Sequence, residues 1–192
     1  MNNFHKVSLL LEKVKDSIPQ FKDPKELFNW ISDNLKYGWM DKNYKKYNTF
    51  GKTWWKHYSL LLPEEVYKYK IGTCFEQTIF ANYIFNRDFP KLETKMIFIA
   101  QMENKKEANT HTFLLYKYKD KTGWWWFENA FHQFKGIRGP FSTTGNAIDS
   151  VKKAMKTIRK SDKFWVTEMN SKLFQKKLTG KEFYSIVKYP YM

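Results

Sequence analysis

One segment of the sequence, residues 74–85, is apolar around most of a helical turn and therefore limits the folds open to this chain. Its large apolar side chains fall on several sides of a helix with 3.6 residues per turn, and they are Phe75, Ile79, Phe80, Tyr83, Ile84 and Phe85. A helix that is apolar on most sides has to be covered by protein on most sides. We therefore expect this helix to be the central element of the fold, with the other elements packed around it.

The residues just before this segment indicate where the helix begins. Thr73 is followed three residues later by Glu76, the spacing of a capping box, so Cys74 is predicted to be the first residue of the helix. The unpaired N–H groups at a helix start favour the thiolate form of a cysteine. Gly72 leaves room for a substrate backbone to approach. A small buried core residue is the alternative role for Cys74.

The rest of the chain changes from helical to strand patterns. Helical spacing covers residues 4–15, 24–35 (after Asp23 and Pro24), 63–69 and 144–160, whereas residues 96–102, 110–118 and 123–131 have the composition of antiparallel strands. No repeat or Pro/Gly/Ser-rich linker divides the chain. We expect one α+β domain over residues 1–192, with a mostly helical N-terminal part and the Cys74 helix packed on an antiparallel sheet.

Charge and cysteine content exclude several classes of function. The chain has 34 Lys and Arg against 19 Asp and Glu, a net charge of +15, which favours acidic or extended polymeric partners. Only Arg87, Arg138 and Arg159 are arginines, which argues against sequence-specific DNA recognition. A single cysteine excludes an internal disulfide framework and multi-cysteine metal sites. With no apolar run near 20 residues and no secretory-signal pattern, we expect a cytoplasmic protein without a membrane span.

Two downstream residues complete a catalytic triad with Cys74. His111 lies at the start of one predicted strand and Glu128 lies on the next. A hairpin turn at residues 119–120 would place them directly opposite each other, so that Glu128 orients the imidazole that accepts the thiol proton. A turn over residues 120–123 would instead set His111 opposite His132 and make Asn129 the alternative orienting residue. We favour Glu128.

The order of these motifs resembles the transglutaminase-like superfamily of papain-fold thiol enzymes. Gly-Thr-Cys at a helix start, His-Thr-Phe on a strand and Trp-x-Phe-Glu on its hairpin partner carry the resemblance, which covers residues 61–136. It implies a nucleophilic Cys74, a basic His111 and an acidic third residue, with Glu128 standing where the family usually has Asp. It also implies an upstream side chain that completes the oxyanion hole, for which Tyr37 and Trp39 are candidates, and Gln77 is a further candidate for substrate contact.

Three functions remain open from the sequence. The first is a cysteine hydrolase or acyltransferase that acts on amide or peptide bonds through an acyl-enzyme, with no metal or other cofactor. A peptidase, amidase or deamidase is favoured over a transglutaminase, because the chain lacks the acidic loops that bind calcium. The second is a nucleic-acid-binding or interaction module that uses the Lys-rich, aromatic segment of residues 37–58. The third is an inactive scaffold of the same fold.

Overall fold

The computed structural model describes residues 17–102, 108–174 and 176–186, so the helix predicted over residues 4–15, including His5, lies outside the described residues. The helices are α1 (Pro24–Asn34), α2 (Pro63–Tyr69), α3 (Cys74–Asp88), α4 (Thr144–Lys156) and α5 (Gly180–Ile186). The strands are β1 (Lys36–Tyr37), β2 (Trp39–Met40), β3 (Lys46–Tyr47), β4 (Ile71–Gly72), β5 (Leu92–Met102), β6 (Ala108–Tyr118), β7 (Trp124–Glu128), β8 (Gly136–Phe141) and β9 (Phe164–Met169). Short 3-10 turns span Trp54–Lys56, His132–Phe134 and Ser171–Phe174. The architecture is α+β, as predicted.

The main sheet is antiparallel and has the strand order β8-β7-β6-β5-β9. One of its faces packs with α3 in a core that includes Phe80, Phe98 and Leu114. The other face packs with α4, whose Val151 and Met155 are buried in a second core. The strands of the sheet therefore lie between two helical layers.

Helix α3 is the central element, as its all-round apolar surface predicts. Phe80 and Ile84 are fully buried, and Phe85 is buried as well. The helix contacts α2 and both long central strands, β5 and β6. Covering α3 on several sides removes its apolar surface from water, which is the main favourable free energy of folding.

The outer parts of the sheet differ from the predicted pattern. Strand β7 ends at Glu128 instead of continuing to residue 131, and β5 begins at Leu92 rather than at residue 96. The sequence analysis missed β8 and β9, so the sheet extends beyond the predicted core of residues 61–136. Gly139 and Pro140 interrupt the strand pattern of β8, and such residues are tolerated at a sheet edge, where β8 lies. Within the described ranges no helix has the length and apolarity needed to span a membrane.

A small parallel pairing connects the N-terminal part to the start of α3. Strand β1 pairs with β4 so that Tyr37 lies beside Gly72, and the Gly38 N–H donates to the Gly72 carbonyl at 3.3 Å. A Cβ atom at Gly38 would lie 2.5 Å from the Tyr47 carbonyl oxygen. Glycine is required here because the backbones of three segments meet.

Replacing Gly38 with Ala should therefore lower the free energy of unfolding by about 1–3 kcal/mol, the usual cost of overpacking. Gly51→Ala is the matched control, because a Cβ at Gly51 meets no atom within 4 Å and should change stability by less than about 1 kcal/mol. Urea unfolding of both variants measures the difference. Equal stability of the two variants would contradict the close backbone approach at Gly38.

Candidate active site

Cys74 is the first residue of α3, and the predicted capping box is confirmed. The Thr73 hydroxyl accepts from the Phe75 N–H at 3.2 Å, and the Glu76 carboxylate accepts from the Thr73 N–H at 2.9 Å. Cys74 itself is partly exposed. Its thiol thus lies at the positive end of the helix dipole and within reach of a ligand from outside.

The capping carboxylate is held by a residue that the sequence analysis missed. The Tyr58 hydroxyl donates to Glu76 Oε1 at 2.6 Å, and both residues are buried. Burial raises the pKa of Glu76, and the hydrogen bonds from Thr73 and Tyr58 oppose that rise. No local motif relates residue 58 to residue 76, so only the packing of the two segments reveals this support for the first turn of α3.

The same turn of α3 covers the start of β6. Strand β6 pairs with β7 from Leu114 to Tyr116. In the part of β6 that precedes Leu114, the side chain of Thr78 approaches the backbone of β6. The Thr78 hydroxyl lies 2.8 Å from the Cys74 carbonyl oxygen and 3.0 Å from the Thr112 carbonyl oxygen. This contact brings Cys74 beside the residue that precedes Thr112.

His111 is that residue, and its imidazole connects Cys74 to Glu128. The His111 Nε2 lies 2.5 Å from Glu128 Oε2, and the Cys74 thiol is close enough to the ring to help raise the pKa of His111. Because Nε2 is taken up by Glu128, Nδ1 is the nitrogen that faces the thiol. The structure therefore brings the three predicted triad residues together.

Glu128 is fixed by donors on both of its carboxylate oxygens. Trp126 Nε1 donates to Oε2 at 3.2 Å, and the backbone N–H groups of Ala130 and Phe131 donate to Oε1 at 2.7 Å each. The residue is 2% exposed. Such a set of donors satisfies the lone pairs of an ionised carboxylate and keeps it aimed at His111.

The hairpin register lies between the two alternatives considered from the sequence. Leu114 pairs with Phe127, so the turn is centred one residue later than the predicted turn at residues 119–120. Glu128 is consequently diagonal to His111 rather than directly opposite, and the prediction of direct opposition was wrong. The two residues still lie on one face, at a separation that long side chains can bridge.

The protonation of His111 depends on its two neighbours. Burial is the largest influence and disfavours the charged ring, but the Glu128 carboxylate and the hydrogen bonds to Cys74 and Glu128 outweigh it. Together they raise the pKa of His111 from 6.5 to about 10. The ring is therefore an imidazolium at neutral pH, with the Glu128 carboxylate and the Cys74 sulfur as its neighbours.

Asn129, the alternative orienting residue, has a different contact. Its Oδ1 accepts from the Ser32 hydroxyl of α1 at 2.7 Å, and it lies on the opposite side of the strand end from Glu128. The side chain bonded to His111 is that of Glu128. Asn129 connects the site to α1 instead.

Tyr37 lies at the thiol. The proximity of Cys74 to its hydroxyl, followed by burial of the hydroxyl, raises the pKa of Tyr37 above its ordinary value. The Tyr37 residue as a whole is 47% exposed, whereas its hydroxyl is close to Cys74 and partly desolvated. Of the two upstream oxyanion candidates, Tyr37 is the one in contact with the nucleophile.

The other two candidates make structural contacts. Trp39 Nε1 donates to the Thr49 carbonyl at 2.8 Å, and its ring stacks on Tyr47 with centroids 4.2 Å apart. Gln77 Nε2 donates to the Gly72 carbonyl at 3.1 Å. Both donor groups are thus already engaged with backbone oxygens.

Gly72 also packs closely against the first turn of α3, and its predicted role in substrate approach stays a prediction. A Cβ atom at this position would lie 2.9 Å from the Glu76 Cβ, so glycine is required by the close packing on the first turn of α3. Outside the site, His57 and His132 are exposed. Among the described residues no group of three His, Cys, Asp or Glu side chains forms a metal-ligand cluster.

The His111 ring should remain an imidazolium through pH 8 and lose one of its two N–H protons near pH 10. Glu128→Gln removes the neighbouring carboxylate and should lower the pKa of His111 by more than one pH unit. Ring ¹⁵N chemical shifts recorded from pH 6 to 11 measure the pKa of His111 in wild type and in Glu128→Gln. A His111→Gln variant assigns the signals. A wild-type ring that titrates near 6.5 would contradict this arrangement.

Because the folded-state pKa of His111 is raised, the interaction stabilises the fold fully below pH 6.5 and is lost as the pH rises through about 10. The loss of melting temperature in Glu128→Gln should therefore be larger at pH 6.5 than at pH 10.5. Thermal unfolding of wild type and variant at both pH values tests whether the loss of melting temperature decreases with pH. A loss that grows with pH would overturn it.

Comparison with known proteins does not assign this chain to a family. No family model matches the chain, and neither a curated protein nor a solved structure matches it. The function is therefore inferred from the contacts of Cys74, His111 and Glu128.

Proposed function

We propose that the protein is a cysteine enzyme that cleaves amide or peptide bonds through an acyl-enzyme on Cys74. The observation that carries this proposal is the hydrogen bond between His111 and the buried Glu128, with the Cys74 thiol close to the same imidazole ring. A nucleophile, a base and a group that orients the base are the three parts that such chemistry needs. In this chain they come from a helix start and two neighbouring strands.

The reaction follows from these contacts. The Cys74 thiolate, paired with the His111 imidazolium, attacks the carbonyl carbon of the substrate, and the imidazolium gives its Nδ1 proton to the leaving amine. The C–N bond breaks and a thioester to Cys74 remains. His111 then takes a proton from water as the water oxygen attacks the thioester carbonyl. The C–S bond breaks, the acid is released, and the thiolate and imidazolium pair is restored. Glu128 keeps its negative charge and holds the Nε2–H throughout.

Two donors are placed to stabilise the oxyanion. The backbone N–H of Cys74 is one of the first N–H groups of α3, which have no partner within the helix. The Tyr37 hydroxyl lies close to Cys74, so it is placed to donate to an oxygen bound there. Removing one oxyanion donor typically reduces turnover about 100- to 1000-fold.

We further propose that the fold is transglutaminase-like. The chain order Cys74, His111, Glu128 and the packing of a central helix on an antiparallel sheet support this proposal. The alternative role of a nucleic-acid-binding module finds less support. Trp39, Tyr47 and Trp54 contact one another, so their faces are largely engaged in packing rather than free for bases.

Cys74 should be the site of labelling by acyl electrophiles, and Cys74→Ala should abolish that labelling. His111→Ala should slow labelling by 100-fold or more, because the imidazolium that stabilises the thiolate is lost. His132→Ala is the matched control, since His132 is exposed and outside the triad. Intact-mass spectrometry at pH 7 measures the labelling rate of the wild type and of each of the three variants.

Equal labelling of wild type and His111→Ala would contradict the proposed pairing of Cys74 with His111. Absence of any labelling in the folded protein would overturn the catalytic assignment. If Cys74→Ala then retained full, salt-sensitive binding of single-stranded RNA, the binding-module alternative would replace it.

Water should be the default acceptor of the acyl group, without added metal. Once a turned-over acyl donor is found, product masses should show the free acid, and a millimolar primary amine should add only minor amide product. Glu128→Gln should reduce this turnover by 100-fold or more, whereas Asn129→Ala should retain most of it, because Asn129 contacts Ser32 and not His111. Predominant amine adducts, or an absolute need for calcium, would make the enzyme a transferase.

A further inference from the structure

Tyr37, which lies close to Cys74, and the neighbouring Phe50 are both exposed aromatic residues. Tyr37 is 47% exposed and Phe50 is 40% exposed, and their ring centroids lie 5.6 Å apart. Trp54 packs edge-on against Phe50 at 5.0 Å. We call these three residues the aromatic ledge. Contiguous exposed apolar surface of this kind is typical of a ligand-binding site.

The ledge begins at the reacting sulfur. The hydroxyl of Tyr37 contacts Cys74, and the pairing of β1 with β4 holds Tyr37 beside Gly72. The Tyr37 ring extends from that contact to Phe50. A substrate whose carbonyl carbon is at the Cys74 sulfur therefore has its neighbouring residue within reach of the ledge.

The segment that carries the ledge is strongly basic. Residues 36–56 contain one acidic residue and six lysines, which are Lys36, Lys42, Lys45, Lys46, Lys52 and Lys56. All six are exposed. Lys36 directly precedes Tyr37 in the chain, and Lys52 follows Phe50 by two residues. The acidic residue, Asp41, accepts from the backbone N–H groups of Asn43 and Lys45. The two acids nearest Cys74, Glu76 and Glu128, are buried.

We propose that the aromatic ledge is the acyl-donor subsite, and that it selects acidic peptides with a large aromatic or apolar residue next to the reacting carbonyl. This inference rests on the proposed function of Cys74. The ring of the substrate residue packs on Tyr37 and Phe50, and the acidic residues that flank it lie near Lys36 and Lys52. Packing of aromatic rings and opposite charge act on different parts of the peptide, so the two can be tested separately.

Peptidyl acyloxymethyl ketones test the packing. The Cys74 thiolate displaces the carboxylate, so that a C–S bond forms as the C–O bond breaks. The probe acetyl-Asp-Glu-Phe should inactivate at least tenfold faster than acetyl-Asp-Glu-Ala, which is about the discrimination that an apolar subsite provides. Phe50→Ala should remove most of this ratio. Tyr118→Ala, an exposed aromatic at the far end of β6, should retain it.

The charge is tested with acetyl-Lys-Lys-Phe and the double variant Lys36→Glu, Lys52→Glu. Wild type should prefer the acidic probe, with a ratio that falls as salt is added, and the double variant should lose or reverse that preference. Lys119→Glu combined with Lys121→Glu is the matched control, because these lysines lie at the distant β6–β7 turn. Iodoacetamide reports the intrinsic reactivity of Cys74 in every variant.

The outcomes separate the two proposals. Iodoacetamide and the probes could all label Cys74 while wild type reacts equally fast with the Phe and Ala probes and with the acidic and basic probes. In that case the ledge is not a subsite and the proposed function stands. If no electrophile labels Cys74, both are overturned. The comparison of probes in wild type does not depend on the folding of any variant.

Discussion

The contact between the first turn of α3 and the start of β6 is the interaction on which the candidate site depends. Thr78 lies within hydrogen-bond distance of the carbonyl oxygens of both Cys74 and Thr112. It thereby joins the helix start to the strand that carries His111. Tyr58 and Glu76 support the same turn from the other side. Without this contact a thiol at a helix start and an imidazole on a strand would have no fixed relation.

The hydrogen bonds of Glu128 explain how a buried charge is accommodated there. Transfer of a carboxylate from water to a protein interior is costly unless donors replace its hydration. Glu128 receives those donors from the chain that turns away from the sheet directly after it, at Ala130 and Phe131, and from Trp126 two residues before. Because breaking a buried pair leaves an uncompensated charge, replacing either His111 or Glu128 alone should lower the stability of the protein.

Sequence patterns predicted the central elements better than the edges. The apolar helix, its capping box and the long strands β5 and β6 follow from strong local signals, and the structure confirms them. Strands β8 and β9 were missed because edge strands bury less surface and tolerate Gly and Pro, so their pattern is weak. The turn of the β6–β7 hairpin was misplaced by one residue, since turn residues alone did not specify the register.

The sequence by itself determined that Cys74 begins a buried central helix and that His111 and Glu128 lie on neighbouring strands. Those features depend on residues a few positions apart, whose hydrogen bonds and periodicity are visible in the chain. Only the tertiary structure decided that Glu128 rather than Asn129 bonds His111, that Tyr37 rather than Trp39 contacts the thiol, and that Tyr58 holds Glu76. These choices depend on strand register and on the packing of segments far apart in sequence, where a shift of one residue exchanges which side chain faces the site.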